Sequence, residues 1–141
     1  MHYTSVKERS GIDDLHDCVD GQGHDFKADR DFADDFTNDV SWTTVGSGQE
    51  LHGRGPVRDF LIWMHTQAFN ARPKIKTLVV GDGQAVLEAD LVGTHTGEFL
   101  GMAATGKSVQ VPYCVVYDLR DDKIAALRAY IPMDLFAQQL Q

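Results

Sequence analysis

From Arg72 onward the apolar residues recur with a period of two instead of 3.6, in four segments that turn residues separate. Segments 75–80, 85–95, 109–119 and 123–131 alternate or concentrate β-branched and aromatic side chains, which makes them strands. Gly81-Asp82-Gly83 and Arg120-Asp121-Asp122 between them suit hairpin turns, so the sheet is expected to be mostly antiparallel. Such a sheet must cover one face with something else, and the helical signals lie ahead of it and at the far end. Ile12, Leu15, His16 and Val19 follow helical spacing until Gly21-Gln22-Gly23, and Phe26, Phe32, Ala33 and Phe36 suggest a second short helix. Segment 40–45 reads as a strand that Gly46-Ser47-Gly48 ends. A third helix is expected behind Gly53-Arg54-Gly55, with Pro56 at its first position and Val57, Phe60, Leu61, Met64 and Ala68 as its apolar stripe. A last helix is expected from about Leu135, with Asp134 as its N-cap. Helices followed by a run of strands argue for an α+β fold, and no linker or repeat divides residues 1–141, so one domain is expected.

Composition narrows the function classes. The chain has 141 residues and a net charge of −8, and its first 40 residues carry 11 of the 21 acids against four bases. That sign repels phosphates, so no nucleic-acid partner is expected. The longest apolar runs fall far short of the roughly 18 residues that span a bilayer, and residues 1–10 lack a signal peptide's apolar stretch. Neither a membrane nor secretion is expected. Two cysteines, Cys18 and Cys114, make no disulfide framework and are read as thiols of a reducing cytoplasm.

Three motifs point away from their usual chemistry. Residues 101–108, Gly-Met-Ala-Ala-Thr-Gly-Lys-Ser, match the phosphate-loop pattern letter for letter. That loop works only between a strand and a helix, whose N-terminus helps hold the phosphates. Here Val109-Gln110-Val111-Pro112-Tyr113 follows, an alternating segment with a proline, so a strand is expected and no nucleotide site. The acidic run 13–25 aligns with a calcium-binding loop only by placing His16 first, Cys18 third and Lys27 last, which are not hard oxygen ligands. The six histidines show no HxH or HExxH spacing, and no metal site is expected.

At Gly93-Thr94-His95-Thr96-Gly97-Glu98-Phe99-Leu100-Gly101, with 104–109 and Val111-Pro112 behind it, the sequence resembles the SnoaL-like polyketide cyclase family. The likeness continues upstream through 32–35, 40–42 and 51–55, and downstream through Val116-Tyr117 and Asp122-Lys123-Ile124. The resemblance implies the nuclear-transport-factor-two-like fold: a strongly bent antiparallel sheet wrapped with helices into a cone, paired through the sheet as a homodimer. It also implies acid-base work on an apolar carbonyl substrate inside the cone, with no cofactor, as in ring closure or isomerisation. A fold of this kind does not fix a function. The family's general acid/base is an aspartate near the end of the last strand, and the matching stretch here is Tyr130-Ile131-Pro132, with Pro132 in the aspartate's place.

Proton abstraction next to a carbonyl needs a carboxylate or imidazole within reach and a donor for the enolate oxygen. Three residues are candidates for that catalytic work. Asp134 follows Pro132 by two and would share its side-chain parity, or else caps the last helix at the surface. His95 lies on a strand whose odd positions, Leu87, Ala89 and Leu91, are apolar, so its ring either works in the interior or is bonded structurally to the backbone. Tyr130 can donate to an oxyanion, and Arg128 on the same strand face can hold an anionic group, if that face is concave; if it is convex, both belong to a dimer interface. Trp42, Met64, Phe99, Tyr113 and Tyr117 are the expected substrate-binding wall, and His65 is either at the pocket edge or a partly exposed helical histidine. Two functions follow from different classes: a cofactor-independent cyclase or isomerase for an apolar, polyketide-like carbonyl compound, or a non-catalytic module that binds a small apolar ligand or dimerises.

Overall fold

In the computed structural model, which describes residues 32–141, a short 3₁₀ turn (Phe32–Asp35) leads into six strands and two helices. The strands are β1 (Phe36–Thr44), β2 (Gln49–His52), β3 (Phe69–Val80), β4 (Gln84–His95), β5 (Ser108–Arg120) and β6 (Lys123–Tyr130). The helices are α1 (Arg54–Trp63), which runs on into one turn of π-helix at Met64–Ala68, and α2 (Met133–Leu140). One sheet holds all six strands in the order β2-β1-β6-β5-β4-β3. The expected helix over 12–19, the calcium-loop alignment and Cys18 lie outside the described residues. No helix among the described residues is long and apolar enough to cross a membrane.

Local chemistry accounts for the hairpins. Asp121 and Asp122 both take positive φ, 54° and 62°, the geometry that a two-residue turn needs to match the twist of β5 and β6. β3 pairs with β4, β4 with β5 and β5 with β6, all antiparallel. The exception is β1, which pairs parallel to β6, with Trp42 opposite Leu127. No turn dictates that pairing, because the rest of the sheet separates the two strands in sequence. Strand β2 escapes the sequence pattern because its four residues are largely exposed and carry no alternation.

Helix starts differ from expectation by a residue or two. Gly53, at φ 95°, precedes α1, so Pro56 is the third helical residue; its missing N–H is still one of the first-turn donors that lack a helical acceptor. At α2 the cap is Pro132, and Asp134 sits exposed inside the first turn instead of capping it.

Bulges between Ile75 and Thr77 and between Asp118 and Leu119 bend the sheet, and both helices pack on its concave side. One core cluster joins α1 through Val57 and Leu61 to Phe36, Val40, Leu87 and Tyr117. The other joins Met64 and Phe69 to Phe99, Phe136 and Leu140 of α2. Helix α2 also finishes an unpaired edge: β5 extends past β6, and the Gln139 carboxamide accepts from the Gln110 N–H at 2.8 Å and donates to the Gln110 carbonyl at 2.9 Å.

Candidate functional site

The bend leaves a cavity of about 600 Å³, its mouth included, between the concave face, α1 and α2. Alternation along the strands decides who faces it. Trp42 of β1, Leu91 of β4, Leu127 of β6 and Tyr113, Val115 and Tyr117 of β5 point inward, and Phe60, Met64 and His65 come down from α1 and its π-turn. Ile131 and Phe136 close the far end. The wall is almost entirely hydrocarbon and aromatic, and among the described residues it carries no carboxylate, lysine or arginine.

Its few polar atoms are specific in role. The Trp42 indole N–H is already committed to Thr44 Oγ1 at 2.8 Å, which in turn donates to Gln49 Oε1 at 2.9 Å, so Trp42 presents only its ring face. Burial pushes the Tyr113 phenol well above its ordinary pKa of 10, and the Asp90 carboxylate adds to the shift. Tyr117 shifts the same way, chiefly by burial. Both phenols therefore keep their protons and act as donors. His65 holds its Nδ1 2.8 Å from the Leu61 carbonyl. A carbonyl only accepts, so Nδ1 carries the hydrogen and Nε2 keeps its lone pair. Burial lowers the imidazole pKa below 6.5, and the Leu61 bond offsets only part of that, so the ring is neutral at pH 7. A π-turn is rare and often occurs at functional sites.

Of the expected substrate-binding residues, Trp42, Met64, Tyr113 and Tyr117 line the cavity. The others lie elsewhere. Phe99 is buried outside the cavity lining, in an aromatic cluster with Phe69 and Phe136 at centroid separations of 4.9 and 5.3 Å. His95 is fully buried and absent from the lining: its Nδ1 accepts the Thr105 N–H at 3.1 Å and its ring lies 5.3 Å from Phe69. It pins the β4–β5 connection, which is the structural alternative. The face shared by Arg128 and Tyr130 is the convex one. Tyr130 is half exposed, and Arg128 makes a bidentate pair with Asp118 at 2.6 and 3.0 Å, holding that carboxyl below its ordinary 3.8. Neither reaches the cavity, because inward parity on β6 belongs to Leu127 and Ala129. Asp134 points away on the exposed first turn of α2, and the residue lining that end is Ile131.

The structure adds Phe60, Leu91 and Phe136 to the wall and brings His65 fully into it. Their signals were present: Phe60 and Met64 are one helical turn apart, and Leu91 continues the odd parity of Leu87 and Ala89. The phosphate-loop lookalike lies in the β4–β5 connection, and Ser108 begins a strand, not a helix. Among the described residues, no group of three or more His, Cys, Asp or Glu is placed to hold a metal ion.

Comparison with known proteins bears on the same architecture. A candidate SnoaL-like polyketide cyclase from Jannaschia Sp. CCS1 superposes with a TM-score of 0.83 at 19% identity, covering 99% of this chain and 97% of that one. A candidate polyketide cyclase from Xanthomonas campestris pv. campestris gives 0.79 at 17% identity, covering 96% and 97%. An LEH-like epoxide hydrolase of M. tuberculosis gives 0.71 at 14% identity, covering 96% and 91%. The search of curated proteins returned no match. At these identities the solved structures speak for the fold alone, which is the bent α+β cone. The SnoaL-like polyketide cyclase family model matches residues 13–140, nearly the whole chain, and the chain belongs to that family.

Proposed function

We propose that the chain is a cytoplasmic enzyme that uses only its own side chains to transfer protons within an uncharged, apolar carbonyl compound, as a cyclase or isomerase. One observation carries the reading: among the described residues, a cavity walled by hydrocarbon holds one neutral imidazole and two protonated phenols. In such surroundings a buried anion without a partner costs several kcal/mol, about 2 or more even for an unpaired neutral polar group, so the ligand is neutral. Binding is read from quenching of Trp42 fluorescence, with Trp42→Phe as the control. The bicyclic ketone 2-tetralone is expected to quench saturably, and 2-naphthoate to bind at least tenfold more weakly. Equal affinities would sink the uncharged-ligand reading.

The binding-module reading has one observation in its favour, the hydrocarbon of Ile131 and Pro132 where the family carries its acid. It predicts saturation with no chemical change in the ligand, and turnover removes it. We also propose that two copies pair through the convex face, where Val79, Val86 and Tyr130 are exposed. Sedimentation at micromolar concentration tests this, and a clean 15.6 kDa species would refute it.

A further inference from the structure

We propose that Nε2 of His65 is the base of this cavity, in place of the strand-end carboxylate that Tyr130-Ile131-Pro132 lacks, with the Tyr113 hydroxyl as the donor to the oxyanion. The assignment rests on the enzymatic reading of the cavity.

Geometry carries it. Nδ1 is drawn back to the Leu61 carbonyl of its own helix, so Nε2, across the five-membered ring, is turned away from the helix backbone. Among the described residues, His65 supplies the imidazole of the lining, and the lining holds no carboxylate. Among the described residues, the titratable groups that share the cavity wall with it are the phenols Tyr113 and Tyr117 from β5; Leu91 of β4, Leu127 of β6, Ile131 of the β6–α2 connection and Phe136 of α2 supply hydrocarbon. His95, the other buried imidazole among the described residues, cannot substitute, since its Nδ1 lone pair is taken by Thr105 and its ring is outside the wall.

The chemistry that suits a neutral imidazole is removal of an acidified C–H, one flanked by a carbonyl and by a second carbonyl or an aryl ring. Nε2 takes the proton. The C–H pair becomes the C=C of an enolate, and the carbonyl π pair moves onto oxygen, where the Tyr113 O–H donates to it. Where a C=C is conjugated with that enolate, the imidazolium N–H returns its proton to the far carbon of the dienolate and the double bond shifts, which is isomerisation. Alternatively the enolate carbon attacks a second carbonyl of the same molecule, and the proton goes to the new alkoxide, which is aldol ring closure. Both leave His65 as it began, with no oxidant or co-reactant.

The test is hydrogen–deuterium exchange at C1 of 2-tetralone, followed by ¹H NMR in D₂O. The wild-type chain is expected to accelerate exchange over buffer, and His65→Gln to lose at least about 100-fold of that acceleration while 2-tetralone affinity moves less than about threefold. Exchange that survives in His65→Gln overturns the assignment and leaves the enzymatic reading standing. A wild-type chain that does not accelerate exchange overturns both. Ring ¹⁵N spectra of the wild type need neither ligand nor variant. They are expected to show Nδ1–H with unprotonated Nε2 and a midpoint below 6.5; an Nε2–H tautomer or a midpoint at or above 6.5 overturns the assignment.

Discussion

Two histidines more than nine-tenths buried occupy opposite ends of one structural logic. His95 sits in the sequence motif by which the family is recognised, and its ring holds the Thr105 N–H of the connection between β4 and β5. His65 sits in no motif, on a π-turn, and faces the cavity. The neighbours of His95 explain its company. A Cβ on Gly93 would lie 2.2 Å from the Asn70 carbonyl oxygen, and one on Gly97 would lie 2.4 Å from that of Gln67. The motif marks a place where backbones touch and a loop is latched. What a family motif advertises here is architecture, and the reactive group has to be sought where the architecture leaves a hole.

The sharpest way to break this comparison is at its structural end. His95→Ala opens a void and orphans the Thr105 N–H, and a loss of about 3–4 kcal/mol in urea unfolding is expected. Retention of stability with loss of 2-tetralone exchange would reverse the roles of the two histidines. Gly93→Ala comes next. The added methyl meets backbone atoms that cannot swing aside, so the strands must separate, at about 3 kcal/mol; a melting temperature within 2 °C of wild type, by about the scale expected for this size, would deny the close approach.

At the cavity, Tyr113→Phe removes one oxyanion donor and should lower the 2-tetralone exchange rate about 100-fold with affinity nearly unchanged. A smaller effect is expected from pH. The unfolded imidazole of His65 takes a proton near 6.5, whereas the folded one resists it, so stability is intact above 6.5 and falls as pH drops through the interval toward the lower folded value. The slope is at most about 1.4 kcal/mol per pH unit, and it should flatten in His65→Gln. Asp90 and Asp118 act in a separate window: held below 3.8 by Lys76 and Arg128, they stabilise the fold above that value and release it only in stronger acid. The smallest effect belongs to Arg128→Gln, a half-exposed pair on the convex face, with less than about 1 kcal/mol of stability and an unchanged exchange rate expected.

Much of the fold was legible because local chemistry controls it. Period-two alternation marked β3 to β6, and the aspartates of the β5–β6 turn take the positive φ that a tight hairpin needs. β2 was not legible, since four exposed residues carry no pattern, and neither was the parallel pairing of β1 with β6. The site divided along the same line. Trp42, Tyr113 and Tyr117 were offered as aromatic wall material and Met64 as part of the apolar stripe of α1, and the fold puts all four on the cavity wall. Parity alone could not say which face of β6 was concave, so Arg128 and Tyr130 stayed open until the bulges and the cover of α1 settled the curvature.

By itself, then, the sequence determined the strand run, the single sheet with helices on one side, the family, and the aromatic material of a pocket. All but the family, which the likeness of the 93–112 motif carried, follow from contacts a few residues apart and from alternation, which one chain records directly. Only the tertiary structure decided that the buried histidine of the motif is a latch, that Asp134 and Arg128 lie outside, and that His65 faces the cavity with its Nε2 lone pair free of the helix. The reason is physical: a bent sheet chooses one of its two faces as the interior through contacts distant in sequence. The role of a titratable side chain depends on that choice and on which lone pair is already taken.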